Sequence, residues 1–372
     1  MLSNPLALIA EITHRCPLHC VYCSNPLELA AAASELQTAH WQRVFREAAE
    51  MGILHVHLTG GEPLVRKDLE ELTATAREAK LYTNLITSGM ALSQDRLKKL
   101  VDAGLDHIQL SFQDGEAGSA DWIAGTKSHA HKIELAAWIR EHRIAFTANL
   151  VVHRQNLDHL EKTLTFLETL RPDRIEIAHT QYYGWALKNR AALLPTAVQL
   201  ENALRVVAAA EARLKGRIRI DSVVPDYYAQ YPKACMGGWG RRMILIDPTG
   251  RALPCHAAGV IPGMAFENVR EYSLRSIWTD SPAFHKFRGE DWMQEPCRTC
   301  DRRTEDFGGC RCQAFLLTSD AAATDPVCSL APKHSVVLEL LHQVLADVVV
   351  PSTISASKLA DSWKYRPNPT RA

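Results

Sequence analysis

Residues 6–23 read LALIAEITHRCPLHCVYC: an apolar, β-prone run from Leu6 to Thr13, then a loop carrying Cys16, Cys20 and Cys23. A strand that delivers chemically active side chains to the loop at its C-terminal end is the opening of a βα unit. Comparable runs recur along the first half: HVHLTGG from His55, YTNLIT from Tyr82, HIQLSF from His107, AFTANLVV from Ala145 and RIEIAHT from Arg174. Between them lie amphipathic helical patterns over His40–Gly52, Lys67–Lys80, Ser93–Ala103, Ser128–His142 and Leu157–Leu170, with Gly52 and Gly104 where helix stops belong. Six strands alternating with five helices predict successive βαβ units and a parallel α/β sheet, either open and doubly wound or a partial barrel. In both architectures ligands gather at the C-terminal strand ends. The segments just after the strands therefore matter most: the cysteine loop, then Gly60-Gly61-Glu62-Pro63, then Ser88-Gly89.

Outward from that half, a further helix over about Thr196–Lys215 leads into a segment of different character. From Cys235 to Cys328 the chain is rich in Gly, Pro, Cys and Trp with weak periodicity, as in a region held by metal. A short amphipathic helix, Val336–Val348, precedes a polar tail expected to be mobile. The divisions predicted are 1–215, 216–332 and 333–372.

The 372 residues are 47% hydrophobic and 23% charged, ordinary for a globular enzyme and enough to bury a core without disulfides. Lysine plus arginine equals aspartate plus glutamate at 42 each, which argues against a nucleic-acid-binding protein built on a broad basic surface. No stretch reaches the ~20 apolar residues of a membrane span, and the N-terminus lacks a signal peptide's basic region. The expected compartment is the cytoplasm, where ten clustered cysteines favour metal binding or chemistry over disulfides.

Cys16, Cys20 and Cys23 form C-x3-C-x2-C. Three thiolates on one loop can hold three irons of a four-iron cluster and leave the fourth open, and an open position is what catalysis needs. Spacing alone leaves a zinc site with a distant fourth ligand equally admissible.

With Tyr22 directly before the third cysteine and Gly60-Gly61-Glu62-Pro63 after the second strand, the chain resembles the radical S-adenosylmethionine (SAM) superfamily. The resemblance implies a partial (β/α)6 TIM-type barrel whose 4Fe–4S cluster chelates SAM through the open iron. It places the glycines against the ligand and offers Glu62 to the substrate ammonium. Ser88 and Gly89 match the region binding the ribose or methionine end. Ser111 and Gln113 stand where related enzymes carry Ser-x-Asp; Gln113 replaces the acid, and the following Asp114 could shift the register. Asn149 is a further polar candidate on the fifth strand.

The remaining cysteines are Cys235, Cys255, Cys297, Cys300, Cys310, Cys312 and Cys328. Gly250-x4-Cys255 and Cys297-x2-Cys300 resemble the SPASM extension of peptide-modifying radical SAM enzymes, which houses two auxiliary clusters. One departure stands out: the residue expected to be cysteine after Cys300 is Asp306. The resemblance implies two four-ligand sets for seven thiolates, with Asp306 as the eighth ligand; the alternative is a surface carboxylate in the TEDF run and an outer cluster with an open iron. The assignment implied is Cys235, Cys255, Cys310 and Cys312 around an inner cluster, either 2Fe–2S or 4Fe–4S. Cys297, Cys300, Asp306 and Cys328 surround an outer 4Fe–4S cluster. Zinc remains a competing reading of Cys-x2-Cys alone.

QYYGWA from Gln181, CMGGWGRR from Cys235, CHAAGV from Cys255 and CRTCDRRTEDFGGCRCQA from Cys297 are similar to the family that modifies the peptide PqqA in pyrroloquinoline quinone biosynthesis. That resemblance implies a carbon–carbon bond between a glutamate and a tyrosine of PqqA, started by a 5′-deoxyadenosyl radical and completed by electron loss to the auxiliary clusters. It implies a separate peptide chaperone, PqqD, and a low-potential electron donor such as flavodoxin. Gln181, Tyr182 and Tyr183 could line the peptide pocket or serve as core. No residue is singled out as proton acceptor. Two alternatives stay open: another SPASM-type enzyme making a thioether or formylglycine, and a non-enzymatic iron–sulfur or zinc scaffold.

Overall fold

A computed structural model describes residues 3–223, 226–349 and 363–367. The six predicted strands form as β1 (Ala7–Thr13), β2 (His55–Gly60), β3 (Tyr82–Thr87), β4 (His107–Phe112), β5 (Ala145–Val152) and β6 (Arg174–His179). Each pairs in parallel with its sequence neighbour. A doubly wound sheet needs a reversal of strand order; this order runs 6-5-4-3-2-1 without one. Right-handed crossovers that always step the same way put every helix on one face, which is barrel winding.

The intervening helices are α1 (Thr38–Glu50), α2 (Leu69–Glu78), α3 (Gln94–Asp102), α4 (Ala117–Ala124), α5 (His129–Glu141) and α6 (Leu160–Thr169). In α1 the apolar positions Trp41, Val44, Phe45 and Ala48 recur at helical spacing and are all buried. They meet Leu8, Ala10 and Ile12 of β1 and Val56 and Leu58 of β2 in one continuous core. The opposite face of the strands carries Glu11, His57, Asn84, Gln109, Asn149 and Glu176, so the barrel interior is polar. Asn84 contacts His57 at 3.1 Å, and Gln109 donates to Glu176 at 3.0 Å.

After β6 come α7 (Gly184–Lys188), α8 (Arg190–Leu193) and α9 (Ala197–Leu214), the last opened by a Thr196/Gln199 capping box. Three strands were not legible in the sequence: β7 (Arg219–Val223), β8 (Met243–Ile246) and β9 (Ala252–Leu253). β7 extends the sheet beyond β6, and β8 pairs in parallel with β1 on the other flank, followed by antiparallel β9. Among the described residues the sheet has nine strands, in the order β7-β6-β5-β4-β3-β2-β1-β8-β9. The cysteine-rich segment is therefore joined to the barrel by backbone hydrogen bonds beside β1.

That segment continues through α10 (Leu274–Asp280), α11 (Pro282–His285), α12 (Arg303–Asp306) and α13 (Arg311–Thr318), and α14 (Ser335–Val349) follows. Within the expected polar tail, residues 363–367 pack against the fold, with Trp363 and Arg366 buried. The rest of that tail lies outside the described residues. Among the described residues no helix is long and apolar enough to cross a membrane.

Candidate functional site

The loop after β1 carries Cys16, Cys20 and Cys23, partly buried, with Cys20 close enough to act electrostatically on both of the others. Burial pushes their thiols up, Cys16 to about 12 and Cys23 to about 11. The loop is held by backbone contacts: Cys23 N–H donates to Cys20 C=O at 3.2 Å and His19 N–H to Ala124 C=O at 3.1 Å. Gly184, at the start of α7, closes it from the other side, and Ala186 N–H donates to Cys23 C=O at 3.1 Å.

The glycine-rich loop abuts this one. A Cβ on Gly61 would fall 2.3 Å from Arg15 C=O, and one on Gly60, at φ +125°, 2.3 Å from Thr13 C=O. The close approach expected toward a ligand is thus made to the stem of the cysteine loop. Pro63 opens a 3-10 turn, Pro63–Val65, and is buried. Glu62 is fully buried and accepts hydrogen bonds from Leu64 N–H (3.1 Å), Thr87 Oγ1 (2.6 Å), Ser88 N–H (2.8 Å) and Ser88 Oγ (2.5 Å). Four donors from within the chain satisfy a carboxylate. Glu62 staples the loops after β2 and β3 where the sequence suggested a partner for an ammonium, and it recruits Ser88 into that staple. Gly89, at φ +77°, faces Leu110 and Leu135, so its need for glycine is packing.

Gln113 points to the cysteine loop, and Asp114 does not. Gln113 Nε2 donates to Tyr22 Oη at 3.0 Å, while Asp114 turns to the helix side and accepts from Ser119 Oγ at 2.5 Å and Thr163 Oγ1 at 3.1 Å. The register shift considered for Asp114 does not occur. Ser111 lies opposite Asn149 in the β4–β5 register, and Asn149 hydrogen-bonds Glu176.

Sequence reasoning missed Lys132. It is 1% exposed on α5, and its Nζ donates to Gln113 Oε1 at 2.6 Å. Burial pulls its amine down to about 8, against the opposing charges of Cys20 and Glu62. The signal was available: Lys132 stands three, four and seven residues before Leu135, Ala136 and Ile139, on the apolar stripe of its helix.

The other cysteines fall into two groups. Cys235, Cys255, Cys312 and Cys310 form a ring of sulfur contacts, with Cys255 and Cys312 3.5 Å apart and Cys235 touching Cys255 and Cys310. Within the ring Cys255 and Cys310 act as acceptors, which pulls their thiols well down and holds Cys235 and Cys312 well up. Tyr183 Oη lies 3.1 Å from Cys310 Sγ, and the ring packs with Trp239 and Phe287 in a second core. Cys297, Cys300, Asp306 and Cys328 line one cavity with Thr324 and Gly308. Asp306 is 7% exposed; burial raises its carboxyl, and its Oδ1 accepts from Gly308 N–H at 3.0 Å. The left-handed residues Phe307, Gly308 and Gly309 reverse the chain between the two groups, so Asp306 serves one and Cys310 the other.

The donor sets fit iron–sulfur chemistry: three thiols on one loop, four in one ring, and three thiols with a carboxylate around one cavity. Among the described residues no group of three or more His, Cys, Asp or Glu is placed to hold a single metal ion.

Comparison with known proteins bears on these sets. The radical SAM superfamily matches residues 10–167, and an iron–sulfur cluster-binding (SPASM) domain matches residues 235–301. A PqqA peptide cyclase of Methylobacterium nodulans is 52% identical over 98% of this chain and 94% of its own length. Another, of Methylocella silvestris, is 57% identical over 89% of each. Among solved structures, Streptococcus suis SuiB bound to S-adenosylmethionine superposes with a TM-score of 0.74 at 21% identity, covering 88% of this chain and 78% of that one. At that identity the likeness speaks for the fold.

Proposed function

From a chain that belongs to the radical SAM superfamily and, within it, to the PqqA peptide cyclases, we propose an enzyme that joins a glutamate and a tyrosine side chain of PqqA by a carbon–carbon bond. It is a radical SAM enzyme. The joining removes one hydrogen from the glutamate γ-carbon and one from the tyrosine ring ortho to the phenol, a two-electron oxidation of the peptide. When bound, SAM and the clusters supply the one-electron chemistry: a carbon-centred hydrogen abstractor and an acceptor for the second electron.

The chain's own part is holding and orienting. Cys16, Cys20 and Cys23 would hold the 4Fe–4S cluster that works with SAM. The Gln113–Lys132 pair lies beside that loop, its buried amine suited to a carboxylate. Residues Cys235, Cys255, Cys310 and Cys312 hold the inner auxiliary cluster. Cys297, Cys300, Asp306 and Cys328 hold the outer one, with Asp306 as an oxygen ligand. The observation that carries this reading is the convergence of Asp306 with three cysteines on one cavity wall, in a chain over half identical to the cyclases. The domain division is proposed at 215 and 332, with β7 (Arg219–Val223) pairing back onto β6. PqqD is proposed to present the leader of PqqA, and a flavodoxin-like donor to supply low-potential electrons.

The test is anaerobic incubation with PqqA, PqqD, SAM and a reductant, then mass spectrometry of the peptide. A mass lower by two hydrogens, with fragmentation blocked between the linked glutamate and tyrosine, is the expected result. Deoxyadenosine formed beside an unchanged peptide would reject PqqA as the substrate.

A further inference from the structure

The far end of the chain returns to the first cysteine loop. Trp363 packs on Trp122 with ring centres 4.2 Å apart and joins Val21, Ala186 and Leu193 in a small core. The Asn189 side chain ties the segment down: its amide donates to Val21 C=O at 2.8 Å and Lys364 C=O at 2.9 Å, and its oxygen accepts from Lys364 N–H at 2.8 Å. His19 Nδ1 donates to Arg366 C=O at 2.6 Å.

This docking buries Arg366 to 2% exposure. Its Nη2 donates to His14 C=O. Its Nε and Nη1 are buried and make no hydrogen bond among the described residues, and no carboxylate there pairs with it. A guanidinium is always charged, and leaving one buried with free donors costs several kcal/mol unless an anion completes it. The guanidinium is close enough to Cys16, Cys20 and Cys23 to act on each electrostatically.

We propose that Arg366 is an anion-binding residue of the N-terminal cysteine site, carried there by the docked segment Trp363–Pro367. The inference rests on the reading of that loop as a cluster and SAM site. The anion is then either the thiolate-ligated cluster or the methionine carboxylate of SAM, each of which could accept from the two free donors.

The experiment compares wild type, R366Q and R366K as full chains after anaerobic reconstitution. Iron content, SAM affinity and the midpoint potential of the N-terminal cluster are read. If wild type takes up no such cluster and binds no SAM, the reading of the loop fails and this inference goes with it. With wild type intact, R366Q weakening SAM about tenfold or more at unchanged potential assigns Arg366 to the carboxylate. A lowered potential at unchanged affinity assigns it to the cluster, because loss of a nearby cation disfavours the reduced form. R366K, which keeps the charge, should fall between in either case. R366Q matching wild type in both readouts overturns the proposal. Hydrogen exchange on wild type makes the test independent of variant folding: the amides of residues 364–366 should slow on reconstitution with cluster and SAM, and unchanged exchange would overturn it as well.

Discussion

The phenol of Tyr183 lies 3.1 Å from the sulfur of Cys310, bridging the loop after β6 to the inner cysteine ring. The barrel's strand ends and the auxiliary set are thus in hydrogen-bond contact. The sequence left Tyr183 divided between peptide pocket and core; the structure gives it a sulfur partner. Hydrogen bonds to ligating sulfurs raise a cluster's potential by stabilising its reduced form. In Tyr183→Phe the midpoint of the inner cluster should fall while iron content stays at the wild-type value. A redox titration followed by electron paramagnetic resonance reads this, and an unmoved midpoint would show that the contact does not tune the cluster.

Next to it, Gly184 sits at φ +51°, and a Cβ there would lie 2.0 Å from Asn25 C=O. Neither the backbone angle nor that carbonyl can yield locally, so Gly184→Ala must push the cysteine loop away. The expected cost is about 2 kcal/mol or more. Iron should be lost from the N-terminal site with the auxiliary sets retained. Thermal melts and iron counts per chain check both parts; full retention of iron at the first site would mean that Gly184 does not hold the cysteine loop in place.

How much of this was legible beforehand depends on what local patterns carry. The six barrel strands are readable because each is an apolar run between turn residues with a helix-period stretch behind it. β8 is four residues, Met243–Ile246, inside a Gly- and Cys-rich segment, and its role depends on pairing with β1 more than 200 positions away. Asp306 was visible because a register with one wrong residue can be counted. At Gly60, Gly61 and Glu62 the sequence says only that something comes close; the structure adds neighbours within the chain, Thr13 and Arg15 for the glycines and Thr87 and Ser88 for the carboxylate. Arg366 has no local signal, since its contact with His14 spans the whole fold.

Asp306 gives a prediction about metal. An oxygen ligand is harder than thiolate and binds its iron less tightly in a sulfur-rich cluster. Asp306→Ala should leave the outer set with three protein ligands and shed iron faster under a chelator than wild type, whereas Asp306→Cys should retain it and shift the potential. Time courses of iron release separate the three proteins. Equal release from all three would mean that Asp306 does not ligate.

The last prediction concerns pH. Asp114 is fully buried; burial alone would raise its carboxyl, but hydrogen bonds from His159 at 2.8 Å, Ser119 at 2.5 Å and the Glu116 N–H at 3.2 Å outweigh that and hold it below its ordinary value. A carboxyl depressed in the folded state stabilises the fold above its unfolded pKa of about 4, and that contribution is lost as pH falls through the folded value. These bonds tie the exit of β4 to α4 and α6, and so fix where Gln113 points. Asp114→Asn should therefore destabilise the protein by about 2–4 kcal/mol at neutral pH. The gap from wild type should begin to narrow as pH drops below about 4 and close once pH passes the lower folded value, where the wild-type carboxyl is neutral too. Denaturant unfolding at stepped pH measures the gap; a difference that stays constant into acid would place the stabilisation in packing and not in the charge.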